Sequence, residues 1–127
     1  MTIKVLLVDD QVFDAALTMR AMDDCKIGHQ FIAASDGHEA LNALKKWKFD
    51  LILLDIKMPR VDGFEFLQLL REKSPPIIPV VILTGSNLEV DRSRAASFEA
   101  VEYVHKTMDY ADFKEQLQNA LARHGFC

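Results

Sequence analysis

The feature that most constrains this chain is a regular alternation of short apolar segments with longer segments of helical periodicity. Five segments are predicted to be strands: Ile3–Val8, Phe31–Ala34, Leu51–Leu54, Ile78–Leu83 and Val101–Val104. Three of them are continuous runs of β-branched or leucine residues, as expected of strands that are buried on both faces. The alternation therefore predicts a parallel sheet with helices on both sides.

Five segments with the spacing of amphipathic helices follow these strands. They are predicted near Val12–Asp24, at Gly37–Lys48, after Asp62, at Glu89–Glu99 and after Asp109. Asp36 is placed to cap the second helix with Glu39 at its third position, and Asp62 with Glu65 repeats this arrangement. Trp47, at the end of the second helix, is interpreted as a core anchor. Five βα units in 127 residues predict one open, doubly wound sheet.

The composition argues against several classes of function. A net charge of −4 offers no basic face for nucleic acid. No apolar run approaches the ~20 residues that cross a bilayer, and the first residues do not have the pattern of a signal peptide. Cys25 and Cys127 have no metal-ligand spacing, and two cysteines are too few for a disulfide framework. We therefore expect a cytoplasmic protein.

Polar residues follow four of the five predicted strands. Asp9 and Asp10 follow the first strand, Asp55 the third, Thr84 the fourth and Lys106 the fifth. Sites in open parallel sheets lie beyond the carboxyl ends of the strands, so these side chains are expected to converge at one edge. The aspartate pair alone could be no more than helix caps, but its combination with the other residues indicates a shared site.

This combination of residues suits phosphoryl transfer. Clustered carboxylates repel one another, and a hard divalent cation such as Mg²⁺ relieves that repulsion. One of the carboxylates can act as the nucleophile and form an aspartyl-phosphate. Catalysis of such a transfer is mostly positioning and charge neutralisation, which Lys106 and the Thr84 hydroxyl would supply. Gly85 leaves room for a donor to approach.

Four fragments of the sequence resemble the receiver domains of two-component response regulators. They are Val8-Asp9-Asp10, Leu54–Gly63, Leu83-Thr84-Gly85, and the pair Tyr103 and Lys106. The resemblance runs from Ile3 to about Ala122, in the expected order. It implies an α/β fold of the flavodoxin-like type, with strand order 2-1-3-4-5, and one receiver domain over residues 1–127. It also implies a signalling switch that catalyses its own phosphorylation and dephosphorylation, rather than an enzyme.

The resemblance assigns roles to the residues around a Mg²⁺ ion. Asp55 matches the aspartate that is phosphorylated. Asp10 resembles the direct metal ligand of the acidic pair, and Asp9 its more water-mediated partner. Lys57 stands where the backbone carbonyl supplies a further metal ligand.

The resemblance also assigns the parts of a switch and its partners. Thr84 and Lys106 match the pair that contacts the phosphoryl group, and Tyr103 resembles the aromatic residue that turns inward when Thr84 moves. The donor would be a sensor histidine kinase or a histidine phosphotransfer protein, so none of the chain's own histidines is needed. A downstream protein or a second copy of the chain would bind the surface of the fourth helix, fifth strand and fifth helix.

The sequence departs from the family pattern at two positions. Thr107 stands where proline usually follows the lysine. Lys57 stands where many relatives carry a neutral or acidic residue, and in the family this position and that of Ser86 tune the lifetime of the phosphorylated state. We predict that the positive charge of Lys57 slows the loss of the phosphoryl group.

Two other functions remain open at this point. A degenerate receiver would keep the fold as a phosphorylation-independent binding module, and Thr107 in place of proline favours this slightly. A Mg²⁺-dependent phosphatase with an aspartate nucleophile usually has a second aspartate two residues later, where Lys57 stands. The chain is either a single-domain regulator or part of a longer protein. Residues 74–79 and 90–93 resemble single-domain receivers that serve sensor kinases, including bacterial phytochrome kinases.

Overall fold

The computed structural model of the chain describes residues 2–56, 63–72, 78–85, 89–98 and 101–127. Five parallel strands form one sheet: β1 (Thr2–Val8), β2 (Gly28–Ala34), β3 (Leu51–Leu54), β4 (Val80–Thr84) and β5 (Val101–His105). They lie in the order β2-β1-β3-β4-β5, which confirms the predicted topology. β2 begins at Gly28, which pairs with Thr2, and thus starts before the predicted first residue Phe31.

Helices cover both faces of the sheet: α1 (Val12–Met22), α2 (Gly37–Lys46), α3 (Gly63–Glu72), α4 (Glu89–Ala96) and α5 (Tyr110–Arg123). Leu51 and Leu53 pack on the face that α1 and α5 cover, whereas Ile52 and Leu54 pack on the face of α2, α3 and α4. Successive strand residues are therefore all buried, which explains the continuous apolar runs. Among the described helices, none is long and apolar enough to span a bilayer.

The predicted cap of α2 is confirmed. The Asp36 side chain accepts a hydrogen bond from Glu39 N at 2.9 Å. The Glu39 carboxylate reaches back to Ser35, whose backbone N and hydroxyl donate to it at 2.9 and 2.8 Å. Asp109 caps α5 in the same way, accepting from Asp112 N at 3.2 Å. Asp62, the predicted cap of the third helix, lies outside the described residues.

The interpretation of Trp47 as a core anchor was wrong, because its side chain is 40% exposed. The backbone becomes extended at Trp47, where α2 ends, so the helical stripe does not continue to this residue. The Lys4 and Lys46 ammonium groups lie 6.0 and 5.9 Å from the centroid of its ring. Phe49, two residues later, is buried in the core instead.

Cys25 and Cys127, 102 residues apart, form a disulfide, although two cysteines were interpreted as too few for a disulfide framework. Gly125, with a φ of 77°, turns the chain at the end of α5, and Phe126 N donates to Leu121 O at 2.9 Å. This is a Schellman motif, in which glycine adopts the left-handed conformation without steric cost. Phe126 packs against the cluster under α1 and α5, and Cys127 meets Cys25 with a Cα–Cα distance of 4.7 Å.

Candidate functional site

The predicted site residues lie at the carboxyl ends of the strands, where the hydrogen-bond ladder of the sheet continues beyond each strand. Three backbone hydrogen bonds extend the ladder: Asp9 N donates to Ala34 O (3.0 Å), Asp55 N to Val8 O (2.9 Å) and Lys106 N to Thr84 O (2.7 Å). Each residue is thus held against the neighbouring strand, and the side chains meet at one edge of the sheet, as the sequence predicted.

Three carboxylates are grouped at this edge. One oxygen each of Asp9, Asp10 and Asp55 lies within 4.8 Å of the others. Asp9 is 7% exposed and Asp55 is 8% exposed, so their charges need compensation by a cation or by hydrogen bonds. An all-oxygen donor set of this kind fits a hard divalent ion such as Mg²⁺. Lys57, whose carbonyl was predicted as a further ligand, lies outside the described residues.

Lys106 is the cation that Asp9 and Asp55 share. Its Nζ lies 2.9 Å from Asp9 Oδ2, 3.5 Å from Asp14 Oδ2 and 3.6 Å from Asp55 Oδ2. Burial lowers the pKa of Lys106, but the hydrogen bond with Asp9 and the charges of Asp55, Asp9 and Asp14 outweigh it. The pKa of Lys106 is therefore raised above its usual value, and the ammonium stays charged at neutral pH.

Asp9 also contacts the residue just before α1, but the helix-cap alternative is not confirmed, because Gln11 is at the N-cap position of α1 and no side-chain cap hydrogen bond is present there. Its Oδ1 accepts a hydrogen bond from Gln11 N at 2.8 Å, while Oδ2 faces Lys106. One carboxylate therefore links the residue before α1 to the lysine that follows β5. This local contact and a role at the site are compatible in one side chain.

An open cavity of about 490 Å³ gives access to Asp55. Thr84, fully buried at the end of β4, lines it. The other lining residues are Asp14, Asp55, Gly85, Lys106, Thr107 and Met108. Asp55, Thr84 and Lys106 thus line one space that is large enough for a phosphoryl group.

Tyr103 lies on the same face of the sheet as Thr84. It pairs with Ile82 of β4, two residues before Thr84, and packs against the cluster that Ile82 joins. Its ring is partly buried, and the Arg92 guanidinium of α4 lies 4.6 Å from the ring centroid. The aromatic residue therefore stands between the Thr84 end of β4 and helix α4.

Asp14 is a residue of this edge that the sequence predictions missed. It lies in the first turn of α1 and lines the same cavity as Asp55. Asp14 comes four residues after Asp10, a spacing that brings side chains to one face of a helix. That spacing was the available signal, but α1 begins only at Val12, so it is a weak one.

Comparison with known proteins gives one consistent result. The sequence model of the response regulator receiver domain matches residues 5–118. The alkaline phosphatase synthesis transcriptional regulatory protein PhoP of Bacillus subtilis is 31% identical over 120 residues, which cover 94% of this chain and 49% of PhoP. The chain thus spans about half the length of the curated relatives that it matches.

Two solved structures extend the comparison. The phosphorylated cyanobacterial phytochrome response regulator RcpA superposes with a TM-score of 0.84 at 27% identity, over 95% of this chain and 92% of that one. The Mn²⁺-bound response regulator Rcp1 gives a TM-score of 0.83 at 29% identity, over 94% and 92% of the two chains. Both likenesses extend over nearly the full length of this chain.

Proposed function

Because this chain belongs to the response regulator receiver domain family, we propose that it accepts a phosphoryl group on Asp55 and thereby changes its contacts with a partner protein. The observation that carries the proposal is the convergence of Asp55, the acidic pair and Lys106 at one edge of the sheet. We also propose that residues 1–127 form one receiver domain, which acts as a switch in the cytoplasm.

The donor is the phosphohistidine of a sensor histidine kinase or of a histidine phosphotransfer protein. A carboxylate oxygen of Asp55 attacks phosphorus, the new P–O bond forms as the P–N bond breaks, and the electron pair of the broken bond stays on the imidazole nitrogen. Lys106 Nζ, 3.6 Å from Asp55 Oδ2, stabilises negative charge on a phosphoryl oxygen, and the Thr84 hydroxyl donates to another.

The acidic group of Asp9, Asp10 and Asp55 would hold a Mg²⁺ ion, with the backbone carbonyl of Lys57 as a further proposed ligand. Bound there, Mg²⁺ would offset the carboxylate charge and that of the incoming phosphoryl group. The closeness of the three carboxylate oxygens supports this, and so does the Mn²⁺-bound form of the related Rcp1.

A protein donor is supported by exposed apolar side chains in segments that contribute to the site. Val12 and Phe13, in the first turn of α1, are 85% and 77% exposed, and Met108, which lines the cavity, is fully exposed. Exposed apolar groups beside a reactive centre are typical of contact with another protein. The net charge of −4 argues against direct contact with nucleic acid, and we propose no contact with membranes.

Phosphorylation would be transmitted through Thr84 and Tyr103. When Thr84 moves toward the phosphoryl group, Tyr103 turns inward into the space that Thr84 leaves. Because Arg92 of α4 contacts the Tyr103 ring, this movement would alter the surface formed by α4, β5 and α5. A downstream protein or a second copy of the chain would recognise that surface.

The test is incubation with Mg²⁺ and phosphoramidate, followed by a search for an acid-stable, base-labile adduct. We expect one adduct in the wild type and in Asp23→Asn, a control at the exposed far end of α1, and none in Asp55→Asn. An unmodified wild type would favour the binding module, and rapid turnover of many phosphate esters would favour the phosphatase.

A further inference from the structure

Asp14 contacts Lys106 of the candidate site but is not one of the three clustered carboxylates. Its Oδ2 lies 3.5 Å from Lys106 Nζ, and its side chain is 43% exposed. Among the described residues, the group that could hold a metal ion consists of Asp9, Asp10 and Asp55. Asp14 therefore interacts with the lysine of the site but not with the proposed cation.

Lys106 shares its other two acidic partners with that cation. Asp9 and Asp55 lie 2.9 and 3.6 Å from the ammonium, and both belong to the metal-binding group. A divalent ion bound to this group would offset two of its three negative charges, so Asp9 and Asp55 would attract the ammonium less strongly. Among the described contacts of Lys106, Asp14 would then be the carboxylate whose charge the ion does not offset.

We propose that Asp14 is a positioning residue, which holds the Lys106 ammonium beside Asp55 while a divalent cation occupies the acidic group. This inference rests on the proposed function, because Lys106 must be in place when the phosphoryl group arrives. Asp14 is suited to the role by its place in the first turn of α1. There its carbonyl accepts a hydrogen bond from the buried Thr18 hydroxyl at 3.0 Å.

The Asp14–Lys106 contact is also weak enough to be temporary. At 3.5 Å the Asp14–Lys106 pair is longer than the 2.9 Å contact with Asp9, and it is partly exposed to solvent. Partly exposed ion pairs are weak, so the ammonium can leave Asp14 for a phosphoryl oxygen once Asp55 has reacted. A stronger partner would compete with the phosphoryl group for the lysine.

The charge of Asp14 also has an opposing effect on the reaction, because Asp14 lines the cavity that the donor would enter. A negative charge there repels an anionic donor and would slow the reaction. The two effects predict opposite results for Asp14→Asn. If positioning dominates, phosphorylation slows; if repulsion dominates, it accelerates.

The first measurement follows Lys106 without any phosphorylation. In protein labelled with ¹³C-lysine, the Lys106 Cε resonance is identified by its loss in Lys106→Arg. We expect it to stay distinct from those of exposed lysines at saturating Mg²⁺ in the wild type, Asp14→Glu and the control Asp23→Asn, and to move toward them in Asp14→Asn. An unchanged resonance in Asp14→Asn would overturn the proposal.

The second measurement is the initial rate of phosphorylation by phosphoramidate at saturating Mg²⁺. We expect Asp14→Asn to be slower by roughly two- to fivefold, the range of a partly exposed ion pair, and Asp14→Glu to recover most of the rate. In a Lys106→Ala background, Asp14→Asn should have no further effect, since it acts through that lysine. A rate in Asp14→Asn equal to or above wild type would contradict the inference.

The two measurements separate this inference from the proposed function. A wild type that no donor phosphorylates would overturn the proposed function and the reaction that Asp14 is said to serve. The lysine resonance would still decide whether Asp14 holds Lys106 in the presence of Mg²⁺. Phosphorylation of the wild type with no effect of Asp14→Asn on resonance or rate would overturn the inference alone.

Discussion

At the scale of single residues, the site depends on the compensation of like charges. Asp9 is held by Gln11 N on one oxygen and by Lys106 on the other, and Lys106 is shared with Asp55 and Asp14. The three carboxylates, two of them buried, carry more negative charge than Lys106 alone can offset, so their repulsion lowers the stability of the fold unless a further cation binds. Such a cost is typical of a site shaped for function rather than for stability.

Mg²⁺ is therefore expected to stabilise the folded protein. At a concentration about 100 times its dissociation constant, it should add about 2.7 kcal/mol to the free energy of unfolding. Asp10→Asn should remove most of this gain, whereas Asp23→Asn should keep it. Without Mg²⁺, Asp10→Asn should be at least as stable as the wild type, because one of three like charges is gone. Urea titrations with and without Mg²⁺ measure all of these values.

The lifetime of the phosphorylated state is predicted to depend on Lys57, which lies outside the described residues. Replacing Lys57 by Asn should speed the loss of the phosphoryl group by roughly fivefold, the effect of about 1 kcal/mol on a barrier. The decay of labelled phosphoprotein after removal of the donor measures this. An unchanged decay rate would refute a tuning role for the lysine.

At the scale of elements, the position of Asp55 depends on close contact between the end of β3 and the start of α3. Gly63, the first residue of α3, donates its N–H to Ile56 O at 3.2 Å. A Cβ at Gly63 would overlap the Ile56 Cα and lie 2.8 Å from its Cγ2. Glycine is thus required for this approach, and Ile56 directly follows Asp55.

Gly63→Ala is expected to destabilise the protein, because α3 must shift away from Ile56 to accept the methyl group. Overpacking of this kind costs about 1–3 kcal/mol, which the midpoint of urea unfolding would report. Gly85→Ala is the matched control, since a Cβ there would meet no atom within 4 Å. Equal stability of the two variants would show that the contact can relax.

At the scale of the whole molecule, the disulfide joins the turn between α1 and β2 to the chain beyond α5. Cys127 is exposed and Cys25 is partly buried, so the bond is open to reductants. It lies near the amino-terminal end of β2, whereas the candidate site lies at the carboxyl ends of the strands, at the opposite edge of the sheet. In the cytoplasm that we propose, thiol reductants would keep the two cysteines reduced.

Reduction of the disulfide is expected to lower the free energy of unfolding by roughly 2–5 kcal/mol, as for a bond that closes a loop of this length. The separation of 102 residues places it toward the upper end of the range. Thermal unfolding with and without dithiothreitol measures the change, and Cys25→Ser should be insensitive to the reductant. Phosphorylation of Asp55 should persist in the reduced protein, because the site is remote from the bond.

The alternation of apolar runs with helical stripes was sufficient to predict five strands, five helices and the edge at which Asp55 meets Asp9, Asp10, Thr84 and Lys106. That prediction succeeded because the carboxyl ends of parallel strands necessarily lie at one edge, so the position of a residue in sequence implies its place in space. The strand order came from the resemblance to receiver domains, and the observed sheet confirms it.

Only the tertiary structure decided the features that depend on packing between distant segments. The exposure of Trp47 follows from where the chain leaves α2, and the pairing of Cys25 with Cys127 follows from how α5 ends beside α1. The 3.5 Å contact of Asp14 with Lys106 needs the docking of α1 against the loop after β5. Local periodicity contains no information on such distances, because they arise from the side chains of both partners at once.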